Sequence, residues 1–522
     1  MNRCENRWLP AGIFFGERFF WVTVLVGGIV LTGCGGGSAE TPVTPTPVTP
    51  VTPATPVTPT YSQTTSGVVY ERSDVVAYTA DFVPAAGLGN AQIGLGGVTA
   101  STAQTGAYSI KTTLTPSTNA TMLTASGTGY MQSWYPWFPE DTAKAVTVGL
   151  YPQIQAVPRP GFVKGVTMMD AGGWMPKIYS EGLIAPTMER VRNTMSGNLV
   201  AHVDAFWVTR FDPATNSVSI GPDGWGMGTR AFYETVVGQA KSRGLQFMML
   251  TTLTAAYPGD SALNANYKVR FSIPVSNTAF WDAFFAAWQP LLVERATFAR
   301  DLGVEYLALG FNLAYLSRLE PSRWRGLVQA IRATGYTGKI VYFGLTSLDL
   351  GAFELSDVDP AFPALFDAIG INIVSLVTKT NSSEVLDKAQ TRARMRSSVS
   401  AFLNTVTKYP VPIILRVTTP SVFGGVSSNE YIEPTIASNP ISLQRTRDYQ
   451  QQADAYQAIA EVINSAPAGN GRVMGLLSSG YWYRDDPHTS GLGQANDAAF
   501  DKSANTRGKP AEAVLSWWFQ KW

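Results

Sequence analysis

The chain has 522 residues, 45% of them hydrophobic and 11% aromatic, so it is long enough for two or three domains with a sizeable core. A net charge of +1 with a charged fraction of 15% gives no electrostatic basis for binding nucleic acid, and we expect no such partner. Two cysteines, Cys4 and Cys34, and two histidines, His202 and His488, are too few for a disulfide framework or a metal site, so no metal and no cofactor is expected.

Residues 1–33 have the pattern of a secretion signal. Arginines precede an apolar run of roughly a dozen residues, FFWVTVLVGGIVL, which is short for a membrane span. The run ends in LTGC, Leu31 to Cys34, which resembles the lipobox of bacterial lipoproteins. The resemblance implies lipidation of the Cys34 thiol and a membrane anchor. Because Gly35 follows the cysteine, the expected location is the outer membrane or cell surface; a plain signal peptide with a chance cysteine is the alternative.

Residues 34–65 have the composition of a linker. GGGSAE is rich in Gly and Ser, and Thr-Pro repeats run from Thr41 to Thr60. Such repeats favour extended polyproline geometry at about 3.1 Å per residue, so we expect a spacer that reaches on the order of 60 Å from the membrane.

Residues 66–152 contain short alternating strand patterns with no helical period, which predicts a small all-β sandwich. GAYS at Gly106–Ser109, followed by Gly129-Tyr130, resembles carboxypeptidase regulatory-like domains and implies an accessory module. The aromatic cluster WYPWF, Trp134 to Phe138, is interpreted as packing against the next domain, with a sugar platform as the alternative.

Residues 161–522 alternate between apolar strand patterns and helix-compatible runs, which predicts an α/β fold, a (β/α)₈ TIM barrel. The competing doubly wound sheet needs a Gly-rich phosphate turn after its first strand, and MMDAGGW is not GxGxxG. The predicted helices are Thr229–Arg243, Phe280–Leu302, Ser322–Ala333, Glu384–Thr407, Thr446–Ile463 and Pro510–Phe519.

Several motifs in this region, in order, resemble the mannanase-type barrels of glycoside hydrolase family 113: FVKGVTMMDAGGW, RGLQFMML, LGVEYLALG, FDAIGIN and NTRGKPAEAVLSWWF. The resemblance implies a retaining glycosidase. In such an enzyme a glutamate ending strand four acts as acid/base and a glutamate ending strand seven attacks the anomeric carbon, about 5–5.5 Å away.

The two glutamates that the resemblance implies are missing at the matching positions. Strand four ends in Gly-Phe-Asn-Leu at 310–313, and no acidic residue lies between Glu305 and Glu320. Strand seven reads PIILRVTTPS, with no Asp or Glu between Asp387 and Glu430. The strand-three Lys-Pro-His of the family is replaced by residues 251–253, Thr-Thr-Leu. We therefore expect a barrel that binds glycan and whose hydrolytic activity is doubtful.

Other acidic residues near predicted strand ends are weak catalytic candidates: Asp170, Asp204, Glu430, Asp485 and Asp486. Each has a structural alternative. Asp204 shares strand parity with His202, so a buried ion pair inside the barrel is the favoured interpretation. Aromatic and amide side chains that could stack on sugar rings or bond hydroxyls, or simply pack in the core, are Trp174, Trp207, Asn312, Asn372, Tyr481 and Trp482.

Three functional hypotheses remain open from the sequence. The first is a membrane-anchored lipoprotein whose barrel binds a polysaccharide or cell-envelope glycan. The second is an active glycoside hydrolase with relocated carboxylates. The third is a structural lipoprotein that binds only another protein.

Overall fold

The structure is a computed structural model, and it describes residues 61–72, 87–114, 121–137, 145–169, 182–222, 228–255, 273–311, 313–346, 359, 361–374, 377, 388–406, 409–426, 447–466, 472–482 and 502–522. The lipobox cysteine Cys34 and the Thr-Pro repeats lie outside these ranges. None of the helices in the described ranges is long and apolar enough to cross a membrane.

Two small sheets pack face to face ahead of the barrel. Their strand orders are β4-β1-β7 and β3-β2-β5-β6. One buried cluster draws on both sheets, with Val69, Ile93 and Leu123 among its members, so the predicted sandwich is confirmed. The first strand begins within the predicted linker. The strands are β1 (Tyr61–Glu71), β2 (Gln92–Leu95), β3 (Val98–Ser101), β4 (Ala107–Leu114), β5 (Thr121–Ser126), β6 (Ser133–Trp137) and β7 (Val146–Leu150).

Eight parallel strands then close into a barrel, because β8 pairs with both β9 and β16. The predicted (β/α)₈ architecture is confirmed. The barrel strands are β8 (Val163–Met169), β9 (Leu199–Asp212), β11 (Gln246–Ala255), β12 (Tyr306–Phe311), β13 (Lys339–Thr346), β14 (Ala368–Ile373), β15 (Ile413–Val417) and β16 (Val473–Trp482). A further strand, β10 (Ser217–Pro222), forms an antiparallel hairpin with the end of β9.

Helices surround the barrel on the outside. Those in the described ranges are α1 (Ile184–Asn193), α2 (Arg230–Lys241), α3 (Thr278–Leu302), α4 (Pro321–Ala333), α5 (Lys388–Val406), α6 (Tyr449–Ser465) and α7 (Pro510–Lys521). There are also two short 3₁₀ helices in the described ranges: Ala314–Arg318 follows β12, and Pro363–Leu365 precedes β14. The six predicted helices correspond to α2 through α7.

Two buried clusters separate the inside of the barrel from its outside. The smaller one takes alternate residues from all eight barrel strands and none from a helix, for example Leu199, Ala368 and Ile414, so it fills the interior. The larger one combines strand residues of the opposite parity, such as Val200 and Leu415, with the inner faces of the helices. Except where a β-bulge shifts the register, strand parity therefore assigns a strand side chain to the interior or to the helix layer.

The C-terminal motif RGKPAE joins the sandwich to the barrel. Glu512, fully buried at the start of α7, accepts two hydrogen bonds from Arg190 of α1, at 2.8 and 2.7 Å. Tyr481 and the sandwich residue Trp134 donate to the same carboxylate at 2.5 and 3.2 Å, and the backbone N–H of Gly508 adds a bond of 2.7 Å. The interpretation of WYPWF as a packing cluster is thus confirmed for Trp134.

Candidate functional site

A group of polar side chains faces into the barrel near the C-terminal ends of three strands. Asn372 of β14 and Arg416 of β15 have the parity of the interior residues Ala368 and Ile414. Thr167 of β8 has the parity of Val163, also an interior residue. Because barrel active sites lie at the C-terminal ends of the strands, this group occupies the place where a barrel protein binds its ligand.

Hydrogen bonds hold the guanidinium of Arg416 in one orientation. Its Nε donates to Thr167 Oγ1 at 2.9 Å, and one Nη donates to Asn372 Oδ1 at 3.0 Å and to Thr418 Oγ1 at 3.1 Å. The Thr418 hydroxyl donates in turn to Asn372 Oδ1 at 2.8 Å. All four side chains are 4% exposed or less. We call these four residues, Thr167, Asn372, Arg416 and Thr418, the inner polar cluster.

Trp207 lies on the same inner face, further toward the mouth. It shares the parity of Ala201 on β9, is half-buried, and stands where β9 extends into the hairpin with β10. Helix α3 packs against the outer side of this hairpin, because Phe211 of β9 contacts Phe280 of α3 edge-on, with ring centroids 5.0 Å apart. Trp207 therefore lies toward the C-terminal end of the barrel, on a hairpin that packs against helix α3.

Asp204 lies on the other side of the same strand. Its parity matches Val200 and Phe206 in the helix layer, and its carboxylate accepts a 2.5 Å hydrogen bond from Arg295 Nε of α3. The expected structural ion pair is present, but its partner is Arg295 rather than His202. The prediction that Asp204 and His202 lie on the same face of the strand is correct, but that face points to the helix layer and not into the barrel.

His202 is buried beside the Phe232 ring, with centroids 4.7 Å apart. Neither ring nitrogen has a hydrogen-bond partner in the part of the chain that the structure describes. Burial lowers the pKa of His202 to about 4, so the side chain is neutral at physiological pH.

Tyr481 also points outward, although simple alternation along β16 predicts the interior. Leu477 is an interior residue, but the register between β16 and β8 shifts between Ser478 and Tyr481, so that Tyr481 pairs with Met168 of the outer core. Gly480 takes φ of +67° at this bulge. The Tyr481 ring is fully buried and its hydroxyl bonds Glu512, so it presents no face to a ligand in the barrel.

The remaining candidate site residues lie outside the ranges that the structure describes. Among the acids these are Asp170, Glu430, Asp485 and Asp486, and among the sugar-binding candidates Trp174 and Asn312. Trp482 ends β16, and its side chain is also outside the described residues. In the described ranges there is no group of three or more His, Cys, Asp or Glu side chains that could hold a metal ion.

Arg416 is the site residue that sequence reasoning missed. In PIILRVTTPS it is the single charge in an otherwise apolar strand. A charged residue in the middle of a buried parallel strand is the available signal, because such strands are normally near-continuous apolar runs.

Comparison with solved structures gives distant barrel neighbours. A GH113 β-1,4-mannanase is 18% identical, and the match covers 69% of this chain and 99% of that one, with a TM-score of 0.47. The GH113 β-mannanase from Alicyclobacillus acidocaldarius in complex with ManMIm is 18% identical over 69% and 97%, with a TM-score of 0.47. The GH53 catalytic domain from Ignisphaera aggregans is 14% identical over 70% and 99%, with a TM-score of 0.37. No protein family and no curated protein matches the sequence.

A cavity of about 500 Å³ lies away from this site, between the sandwich and the outer helices α5 and α6. Its lining includes Tyr151 and Ile154 at the end of the sandwich, and Met395 and Val462 on the helices. The Asp454 carboxylate, also in the lining, accepts hydrogen bonds from Arg72 and Tyr151 of the sandwich. The cavity is thus a space at the domain junction, and we place the candidate site in the barrel mouth instead, because strand ends position barrel chemistry.

Proposed function

We propose that the barrel binds a polysaccharide or cell-envelope glycan at the C-terminal ends of its strands and does not hydrolyse it. The observation that carries this proposal is the inner polar cluster, which offers hydroxyl, amide and guanidinium groups on one inward face. Sugars are recognised by such groups together with flat aromatic rings, and the half-buried Trp207 supplies a ring on the same face of β9.

The residue types at strands four and seven support binding without cleavage. Retaining hydrolysis needs a nucleophilic carboxylate, which the resemblance to family 113 implies at the end of strand seven. The inward positions there are Arg416 and Thr418. A guanidinium stays protonated in proteins, so Arg416 cannot attack an anomeric carbon.

The test is a binding panel with the full chain. Soluble neutral and acidic polysaccharides are run in affinity gel electrophoresis, and reducing sugar is measured in parallel over days. We expect retardation by at least one polymer and no sugar release. Asn372→Ala and Thr418→Val should weaken that binding by about two- to tenfold, the effect of one or two lost hydrogen bonds. Asn464→Ala is the matched control, because Asn464 lies away from the barrel mouth and bonds the backbone of Gln155 and Val157.

The other outcomes separate the alternatives. Steady release of reducing sugar that is lost in Asp170→Ala or Asp485→Ala would establish a hydrolase with relocated carboxylates. Absence of binding to every polymer would leave the hypothesis of a protein-binding lipoprotein and contradict ours.

We also propose that the mature protein is anchored through a lipid on Cys34 and carried away from the membrane by the Thr-Pro spacer. The support is the LTGC motif after an apolar run. In a bacterial host, Cys34→Ser should move the protein from the membrane to the soluble fraction, and globomycin should cause accumulation of the unprocessed form. A Cys34→Ser protein that stays in the membrane would contradict the anchor.

A further inference from the structure

Helix α6 is buried on all sides over residues 449–460, although polar side chains occur throughout that stretch. A helix in this position belongs to the core, and its buried polar groups need hydrogen-bond partners. Residues two apart point to nearly opposite sides of a helix, because each residue turns the chain by about 100°. Gln450 and Asp454 therefore face away from Gln452 and Tyr456, and α6 bonds different neighbours on its two sides.

The side of α6 that carries Gln450 and Asp454 is bonded to the sandwich. The Asp454 carboxylate accepts a hydrogen bond of 2.9 Å from Arg72 Nε, and further bonds from the same guanidinium and from the Tyr151 hydroxyl. Gln450 donates to the Tyr151 oxygen at 2.9 Å and accepts from the Tyr135 hydroxyl of β6 at 3.1 Å. Arg72 and Asp454 are each 5% exposed, so their ion pair is buried between the two domains.

The opposite side of α6 is bonded to the barrel where strand β15 ends. The Tyr456 hydroxyl donates to Val417 O at 3.0 Å. Gln452 Nε2 donates to Thr419 O at 2.8 Å. These two carbonyls flank Thr418, which belongs to the inner polar cluster. One helix thus connects the sandwich to the backbone on both sides of a residue in the candidate site.

We infer that the sandwich positions the strand-seven end of the barrel mouth through helix α6, and that Asp454 is a positioning residue for this end. Asp454 lies on the side of α6 turned toward the sandwich, and it fixes the helix whose other side holds the carbonyls beside Thr418. A buried ion pair resists displacement of the helix, because separating its members would leave a charge buried without its partner. As positioning of a glycan site, the inference rests on the proposed function.

Hydrogen-exchange mass spectrometry on the full chain tests the link between the domains without a ligand. The Thr418 amide donates to Ile373 O at 2.8 Å, so it exchanges when the end of β15 opens. Tyr151→Phe removes one donor to Asp454 and the oxygen to which Gln450 donates, but keeps the ion pair. We expect exchange in the peptide that covers Thr418 to become about three- to tenfold faster, while peptides of β11, on the opposite side of the barrel, exchange as in the parent.

A second substitution shows whether the effect passes through α6. Tyr456→Phe removes the bond to the barrel and should also speed exchange at Thr418. In the double variant, Tyr151→Phe should add at most a further twofold, because its connection to Thr418 is already weakened. Tyr108→Phe is the matched control, since the Tyr108 hydroxyl bonds a backbone carbonyl inside the sandwich at 2.8 Å. It should leave exchange at Thr418 unchanged.

The glycan panel gives the second measurement, made well below the melting temperature of each variant so that unfolding does not contribute. For any polymer that the parent binds, Tyr151→Phe should weaken binding about two- to fivefold, and Tyr108→Phe should leave it unchanged. If Tyr151→Phe does not fold, Gln450→Leu removes the neighbouring bonds to the sandwich and should have the same effects.

The outcomes separate the inference from the proposed function. Unchanged exchange at Thr418 in Tyr151→Phe and Gln450→Leu, or equal acceleration in β11, overturns the inference whether or not a glycan binds. A polymer that binds the parent and Tyr151→Phe equally well overturns the positioning role. Faster exchange at Thr418 in a protein that binds no polymer supports the link between the domains and refutes the proposed function.

Discussion

Burial of His202 should lower the stability of the folded protein in mild acid, and a substitution of this residue isolates its contribution. In the folded protein the pKa of His202 is lowered to about 4 by burial, whereas an exposed histidine titrates near 6.5. The unfolded chain therefore takes up a proton at a pH where the folded protein does not. Folding stability is complete above pH 6.5, falls as the pH is lowered toward 4, and loses about 3 kcal/mol across that range from this residue.

The measurement is urea denaturation at a series of pH values between 7 and 4, followed by tryptophan fluorescence. Carboxylates also titrate near the lower limit, but they are common to the parent and to a His202→Leu variant, so the difference between the two curves isolates the histidine. We expect the variant to lose about 3 kcal/mol less than the parent between pH 7 and 4.

The prediction also has a direct readout, because the chain contains only two histidines. In NMR of ¹³C-labelled histidine, the signal that disappears in His202→Leu should titrate well below pH 6. An equal loss of stability in parent and variant, or a His202 signal that titrates near 6.5, would refute the argument from burial.

Three further substitutions test the fold, each by its melting temperature and free energy of unfolding. Asp204→Ala leaves the guanidinium of Arg295 buried without its carboxylate and should cost about 3–5 kcal/mol, whereas Glu294→Gln, which removes an exposed partner of the same arginine, should cost less than about 1 kcal/mol. Glu512→Gln should cost about 3 kcal/mol or more, because Arg190 and Gly508 donate to this fully buried carboxylate. Burial raises the pKa of Glu512, but the charge and hydrogen bond of Arg190 together with the hydrogen bonds from Tyr481 and Gly508 outweigh it, and the net pKa is lowered. This contribution to stability should therefore be present above the ordinary pKa of glutamate and be lost as the pH falls through the lowered one. Gly310→Ala should cost about 1–3 kcal/mol, since φ is +71° there and the new methyl carbon would lie 2.8 Å from the Tyr342 ring.

The order of strands and helices in the barrel follows from the sequence because hydrophobic periodicity determines it locally. Helix α1 is not among the predicted helices, although its buried residues Ile184, Thr187, Met188 and Val191 have helical spacing. A threonine on the apolar face and Pro186 in the first turn weaken the amphipathic signal in so short a helix. The sandwich was also predicted, but its aromatic cluster was not recognised as strand β6, because Pro136 lies within it.

The candidate site was harder to predict, because the sequence does not show which face of a strand points inward. Asp204 and His202 share a parity, but an apolar run such as LVAHVDAF is compatible with either side being the interior. Tyr481 is displaced by a bulge whose only sequence signal is Gly480 inside a strand. Such assignments require the register of the neighbouring strands.

The register also shows which positions of strand β15 face the interior of the barrel. On β15 only alternate residues point inward, so a nucleophile on that strand must occupy the position of Ile414, Arg416 or, just beyond its end, Thr418. None of these is a carboxylate. A retaining mechanism needs a carboxylate nucleophile, and these inward positions of β15 do not supply one. The side chain that β15 places there instead is the buried guanidinium of Arg416, which donates to Thr167, Asn372 and Thr418.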